Sequence, residues 1–154
     1  MTLKKRSQAR VLAVQALCLF DALGADFEQR LSAFLHDPLA YADLELESAP
    51  DADTLAFARE LALGTRQGQA RYDELLEQSV PDWSIARMPP VDRNILRLGL
   101  HELLEHPETP PEVIINEAIE LARLLGAEDS TSFVNAVLDA NRQRLGIGTP
   151  PAPP

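Results

Sequence analysis

The side chains best suited to catalysis or metal binding are few and poorly spaced. The histidines are His36, His101 and His106, and the last two stand five apart. On a regular helix that spacing puts them on different faces, without the i, i+4 pair that suits zinc. Glu117 with Glu120, and Glu102 with Glu105, share helix faces, but no Glu-x-x-His pair completes a carboxylate-bridged di-iron site. These glutamates read as solvated faces. The single cysteine, Cys18, lies in an apolar stretch and reads as a small hydrophobe, and it leaves no partner for an internal disulfide. Gly64-Thr65-Arg66-Gln67-Gly68 lacks the Gly-Lys-Ser/Thr of a phosphate loop and falls inside a helical pattern. No nucleophile, base and oxyanion donor come together, and no cofactor or metal is expected. The chain reads as a binding protein, not an enzyme.

Charge is the more informative signal. The chain has 14 basic and 24 acidic residues, a net charge of −10 that disfavours indiscriminate binding to nucleic acid. The layout is uneven. Lys4, Lys5, Arg6 and Arg10 fall within residues 1–10 with no acid, so the remaining chain carries the whole acidic excess. A basic arm on an acidic body invites two partners of opposite charge. The same arm also reads as a solvated terminus that aids solubility.

The elements that must hold these residues read as helices. The chain is 154 residues long, 45% hydrophobic and 25% charged, proportions typical of one globular domain or two small subdomains. The longest apolar run, Val11 to Phe20, is too short to span a membrane. Lys4-Lys5-Arg6 ahead of it imitates a signal peptide, but Gln8, Arg10 and Gln15 interrupt the pattern, and a cytoplasmic protein is expected. Strand patterning is nearly absent. The expected fold is all-α, a compact bundle of about six to seven helices in two small subdomains. A basic arm over 1–6 precedes one helical domain over 7–146, and a Pro-rich tail follows over 147–154. Within the domain, 37–53 is an acidic loop or insertion holding Asp37, Asp43, Glu45, Glu47, Asp51 and Asp53.

Ser7 is the expected cap of a first helix to about Ala22, and a second helix begins near Asp26. A long helix is expected from about Thr54 to Ser79, with Gly64 and Gly68 marking close contacts or kinks. Tyr72 and Trp83 are expected in the core. Val91 to Glu105 forms a further helix. Thr109-Pro110-Pro111-Glu112 reads as a capping box, and Asp129 or Ser130 caps a last helix ended by Gly146.

Several of these segments resemble one family. Ile115-Asn116-Glu117-Ala118-Ile119-Glu120-Leu121-Ala122, Gly126-Ala127-Glu128-Asp129-Ser130 and Phe133-Val134-Asn135-Ala136-Val137-Leu138-Asp139 look like NusB, the transcription antitermination family. So do Trp83-Ser84-Ile85-Ala86-Arg87-Met88 with Val91-Asp92-Arg93, Ala13-Val14-Gln15-Ala16-Leu17 with Arg10, and Phe57-Ala58-Arg59-Glu60-Leu61. The likeness covers most of 6–23 and 57–145 and fails over 24–53.

The resemblance implies two helical subdomains and binding of the boxA element of nascent, notably ribosomal, RNA. Binding would be shared with NusE, a ribosomal small-subunit protein, within the RNA polymerase antitermination complex. It implies phosphate contact by Lys4, Lys5, Arg6 and Arg10, a base-edge contact by Gln15, and an RNA surface near Asp129 and Phe133. Gln15 and Phe133 also fit ordinary packing. Cys18, Ala22 and Asp92 fall where the family meets NusE. Three positions depart from the family pattern: Cys18, Leu125 and Ser132 replace residues that are often aromatic or basic. An acidic body would repel RNA beyond the arm, so a docked basic partner would strengthen RNA binding. The alternative is a protein-interaction adaptor with weak or no RNA binding of its own.

Overall fold

The computed structural model describes residues 3–39, 42, 49–80, 82 and 84–148. Among them are seven α-helices and no strand: α1 (Lys5–Leu19), α2 (Phe27–Leu35), α3 (Ala52–Gln67), α4 (Gln69–Ser79), α5 (Pro90–Glu105), α6 (Pro111–Leu125) and α7 (Ser130–Leu145). A 3-10 turn at Ile85–Arg87 precedes α5. The chain divides into two units, Met1–Gln67 and Gly68–Pro154. Trp83, residues 40, 41 and 43–48 of the acidic stretch, and the tail from 149 onward lie outside the described residues.

In the first unit α1 packs on α3, and α2 packs on both. Ala9, Leu12, Ala13, Ala16 and Leu17 of α1 and Ala58, Leu61 and Ala62 of α3 are buried, and their small side chains permit close helix approach. Phe27, Leu31, Phe34 and Leu35 supply the buried face of α2. The first helix differs from expectation at both ends. It starts at Lys5 with Lys4 as N-cap, not after Ser7, so two residues of the arm are helical. It stops at Leu19, short of Ala22. Leu23 N–H bonds back to the Phe20 carbonyl at 3.0 Å in a turn, and Arg66 of α3 donates to the Asp21 carbonyl at 2.7 Å. Both bonds fasten the turn that replaces the expected last helical turn.

In the second unit α5 packs against α4, α6 and α7. Nearly its whole circumference is buried, polar positions included. The long helix expected over Thr54 to Ser79 is instead two helices, broken at Gly68. Tyr72 explains the glycine: a Cβ at residue 68 would sit 2.5 Å from its ring. Tyr72 is buried as expected, and its hydroxyl lies 2.8 Å from His101 Nδ1. His106 follows the last residue of α5 and leaves helical geometry at φ −123°, ψ 66°. Its ring thereby turns back to within 5.3 Å of the His101 ring, against the expectation of separate faces. His106 Nδ1 lies 2.8 Å from Glu108 Oε1.

The caps of the last two helices also depart from expectation. Pro110 is the N-cap of α6 and makes no side-chain cap bond. Glu112, expected to reach back to Thr109, accepts from Arg142 Nη2 at 2.8 Å. Its own backbone N–H and Arg142 hold its carboxyl below the usual range. Asp129 precedes α7 without capping it through its side chain, whereas the Ser130 hydroxyl accepts from Ala127 N–H at 3.0 Å. Gly146 ends α7 as expected. It is left-handed at φ 70°, with Ile147 N–H on the Arg142 carbonyl and Gly146 N–H on that of Gln143, a Schellman pair.

One ion pair in this unit is largely removed from water. Arg97 Nε and Nη2 donate to the two Asp73 oxygens at 2.6 and 2.9 Å, and Arg97 Nη1 donates to Asn94 Oδ1 at 3.2 Å. Asp73→Asn removes the bidentate carboxylate from a buried guanidinium and should destabilise the fold by about 2–4 kcal/mol, read as a lower urea midpoint at unchanged slope. Arg71–Glu105, exposed on both sides, should contribute under about 1 kcal/mol.

Burial, followed by the neighbouring His106, lowers the His101 pKa from 6.5 to about 4. The folded state therefore binds fewer protons than the unfolded chain between those values, and stability falls as pH drops from 6.5 toward 4. His101→Asn should flatten that part of the stability–pH curve, measured by urea unfolding at stepped pH.

Candidate nucleic-acid interface

The first ten residues crowd cations at the wrong end of a helix. The amino end of α1 carries the positive pole of the helix dipole, and its first turn holds no acid. Lys4, Lys5 and Arg6 are exposed there. Relief comes from the start of α3. Asp51 precedes that helix, and its Oδ1 accepts from Thr54 N–H at 2.8 Å and from the Thr54 hydroxyl at 2.7 Å. This is N-cap chemistry. Its Oδ2 stands 2.5 Å from Lys5 Nζ. The Lys5 bond, then the two Thr54 bonds, hold the Asp51 carboxyl well below the usual carboxylate range, and the same pairing raises the Lys5 ammonium.

Arg6 and Arg10 lie one helical turn apart, and both face Phe57 of α3. The guanidinium carbons are 4.3 and 5.9 Å from the ring centre, within cation–π range. Their environments differ sharply. Arg6 is exposed, whereas Arg10 is 2% exposed and acts as a packed residue with almost no surface for a phosphate. Lys5, Arg6, Asp53, Thr54, Ala56, Phe57 and Glu60 line a cleft of about 390 Å³. The arm is thus a mixed-charge site with an aromatic floor, not a purely cationic tip. Gln15, farther along α1, is half-buried, and its Oε1 is enclosed without a hydrogen-bond partner.

The remaining RNA-surface candidates belong to the second unit. Asp129 is exposed in the turn before α7, and Phe133 is half-buried one helical turn later. Phe133 N–H bonds to the Asp129 carbonyl at 3.4 Å, as does the Ser132 hydroxyl at 3.1 Å. Gly126 permits the tight approach of this turn, since a Cβ there would meet Ser130 at 2.8 Å.

The protein-partner candidates divide in the same way. Cys18 is half-buried and Ala22 exposed at the end of α1. Between them Leu19 is 63% exposed, although its place in the apolar stripe of the first helix, with Leu12, Ala16 and Leu23, predicts burial. Asp92, in the first turn of α5, is 6% exposed, and its Oδ1 is enclosed without a partner. A docking protein would reach little of that carboxylate. Two further residues escaped the sequence reading: Phe57, quoted only within a family motif, and Asp51, placed in an acidic loop. The spacing Asp51-x-x-Thr54 is a recognisable cap signal, but nothing local shows that it faces Lys5.

None of these residues forms a catalytic set, and no group of three or more metal-binding side chains occurs among the described residues. No described helix is long and apolar enough to cross a membrane.

The NusB family model matches residues 7–142. The transcription antitermination protein NusB of Desulforapulum autotrophicum is 38% identical over 137 residues, covering 89% of this chain and 90% of that protein. The solved structure of T. maritima NusB is 32% identical with a TM-score of 0.76, covering 93% of each chain. A structure of the antitermination factors NusB and NusE in complex with dsRNA shares the fold at a TM-score of 0.74 and 23% identity, covering 93% of this chain and 99% of that one. With the helical order above, these matches assign the chain to the NusB family, whose curated relatives are transcription antitermination proteins.

Proposed function

We propose that this chain binds boxA-type nascent ribosomal RNA together with the NusE ribosomal protein, in the cytoplasm, as part of the RNA polymerase antitermination complex. The observation that carries the reading is the exposed start of α1, where Lys4, Lys5 and Arg6 stand together. The NusB–NusE–dsRNA structure, a relative of the same fold, supports it. Lys4, Lys5 and Arg6 contact phosphate, with Arg6 oriented by Phe57. Arg10 supports that surface from beneath. Gln15 offers its amide to a base edge. Asp129 and Phe133 form a second contact region, in which the half-buried ring takes an unpaired base on its open side. In the first unit Cys18 and Ala22, with Leu19, receive the protein partner, and in the second unit Asp92 is the candidate contact.

Three exposed cations supply limited phosphate neutralisation. The logarithm of RNA affinity should fall with log salt at a slope no steeper than about −2, given roughly 0.7 per contact on single-stranded RNA. Reversing Lys4, Lys5 and Arg6 together to Glu should lower affinity for a boxA-like RNA at least tenfold at low salt without changing helicity. Anisotropy titration and circular dichroism check both points, and unchanged affinity would remove the arm from the interface.

A basic partner docked on the acidic body adds the positive surface that the chain lacks. RNA affinity should therefore rise when purified NusE protein is present, and Leu19→Asp should abolish that rise while leaving binding by the chain alone unchanged. Equal affinities with and without NusE would end the cooperative version, and weak or no RNA binding by the chain alone would favour the adaptor reading. The Lys5–Asp51 pair and the burial of Arg10, which thin the cationic surface, support that second reading.

A further inference from the structure

The acidic stretch before α3 has no part in the reading above, yet its end reaches the arm. Asp51 is held from two sides. Its Oδ1 is fixed by Thr54 N–H and the Thr54 hydroxyl, so α3 orients the carboxylate independently of Lys5. Its Oδ2 faces Lys5 Nζ at 2.5 Å, within the distance at which a phosphate oxygen would bind. The pair is open to solvent, with Lys5 74% and Asp51 41% exposed in their side chains. Asp53 adds to the negative field at Lys5, and with Glu60 it lines the same cleft as Lys5 and Arg6.

We propose that Asp51 sets the affinity threshold for RNA binding, its carboxylate occupying the place of a phosphate on Lys5 so that RNA must displace it to make that contact. The inference rests on the arm reading proposed above. A surface ion pair is weak, so an RNA that reaches Lys5 displaces the carboxylate at modest cost. That cost is the same for every RNA that uses Lys5, so Asp51 lowers all such affinities by one factor. An RNA held only by the arm then falls below the concentration at which it binds, whereas one held at further points stays above it. Because Lys5 is already neutralised within the protein, an RNA that leaves Asp51 in place makes one fewer counterion-releasing contact.

Asp51→Asn separates this role from the helix cap, because asparagine caps as well as aspartate and keeps an oxygen for Thr54. Wild type, Asp51→Asn, Lys5→Gln and the double variant are titrated by anisotropy with two labelled single-stranded RNAs, one boxA-like and one scrambled, across a KCl series. Asp26→Asn, an exposed acid at the cap of α2, controls for net charge. Asp51→Asn should bind the scrambled RNA about two- to fivefold more tightly at low salt, the factor a surface ion pair carries. Its salt slope should steepen by about 0.7, one phosphate contact. The boxA-like RNA should gain by the same factor, and both effects should vanish in the Lys5→Gln background. Asp26→Asn should leave the slope unchanged. Wild-type binding that Asp51→Asn leaves unmoved, or an equal gain without Lys5, overturns the role of Asp51 alone. Absence of binding to either RNA by all variants overturns the arm reading and this inference with it.

Discussion

Like charges gathered at the amino end of a helix repel one another and the helix dipole, and α1 begins with such a cluster and no acid of its own. Its counter-charge and its apolar support both come from α3. Asp51 answers Lys5, and Phe57 lies under Arg6 and Arg10. The packing of α1 on α3, through small buried side chains, is therefore what makes an organised cationic surface possible. An unfolded arm could present the same charges, but each guanidinium would lose more side-chain freedom on meeting a phosphate. Arg6, seated on a ring, has given up part of that freedom already.

The second unit solves a different problem, the burial of polar groups in its central helix. Gly68 makes room for the Tyr72 ring, whose hydroxyl meets His101, and His106 turns back at the end of α5 beside the His101 ring. Arg97 reaches Asp73 and Asn94. Each group has little alternative once water is excluded, so these contacts specify how α4 and α5 meet as well as stabilising them. A satisfied network of this kind tolerates little sliding between helices. The region around Asp129 and Phe133 belongs to this stiffened unit, whereas the arm belongs to the other.

The helix count, the all-α class and most of the core were legible because helical periodicity and end signals are local. Gly126 and Gly146 do stop α6 and α7, and Asp26 does precede α2. What escaped was set by distant partners. Arg66 meets the Asp21 carbonyl from forty-five residues away in the turn after α1, and the apparent long helix divides at Gly68 beneath a ring four residues on. The Thr109 capping box does not form: the Thr109 N–H goes to the His106 carbonyl, and Glu112 accepts from Arg142 instead. At the candidate interface the residue types were legible, but their exposure was not. Arg10 and Arg6 look alike in sequence, yet one is buried, and Asp51 looks like one acid among many.

These constraints bear on how a net-acidic protein can recognise RNA at all. An arm of three exposed cations, one already answered by a carboxylate, cannot supply both strong attraction and selectivity. Attraction without a competitor would favour any polyanion equally, because phosphate contacts carry no sequence information. A competitor fixed by its own helix changes that balance. It weakens the Lys5 contact by the same amount for every RNA, so only ligands with additional contacts still bind at low concentration. A basic partner docked on the acidic body would add contacts of that kind, and linkage requires RNA to strengthen the partner's docking by the same factor. The acidic excess then serves selectivity twice, by repelling unaccompanied RNA from the body and by holding a carboxylate against Lys5 at the arm.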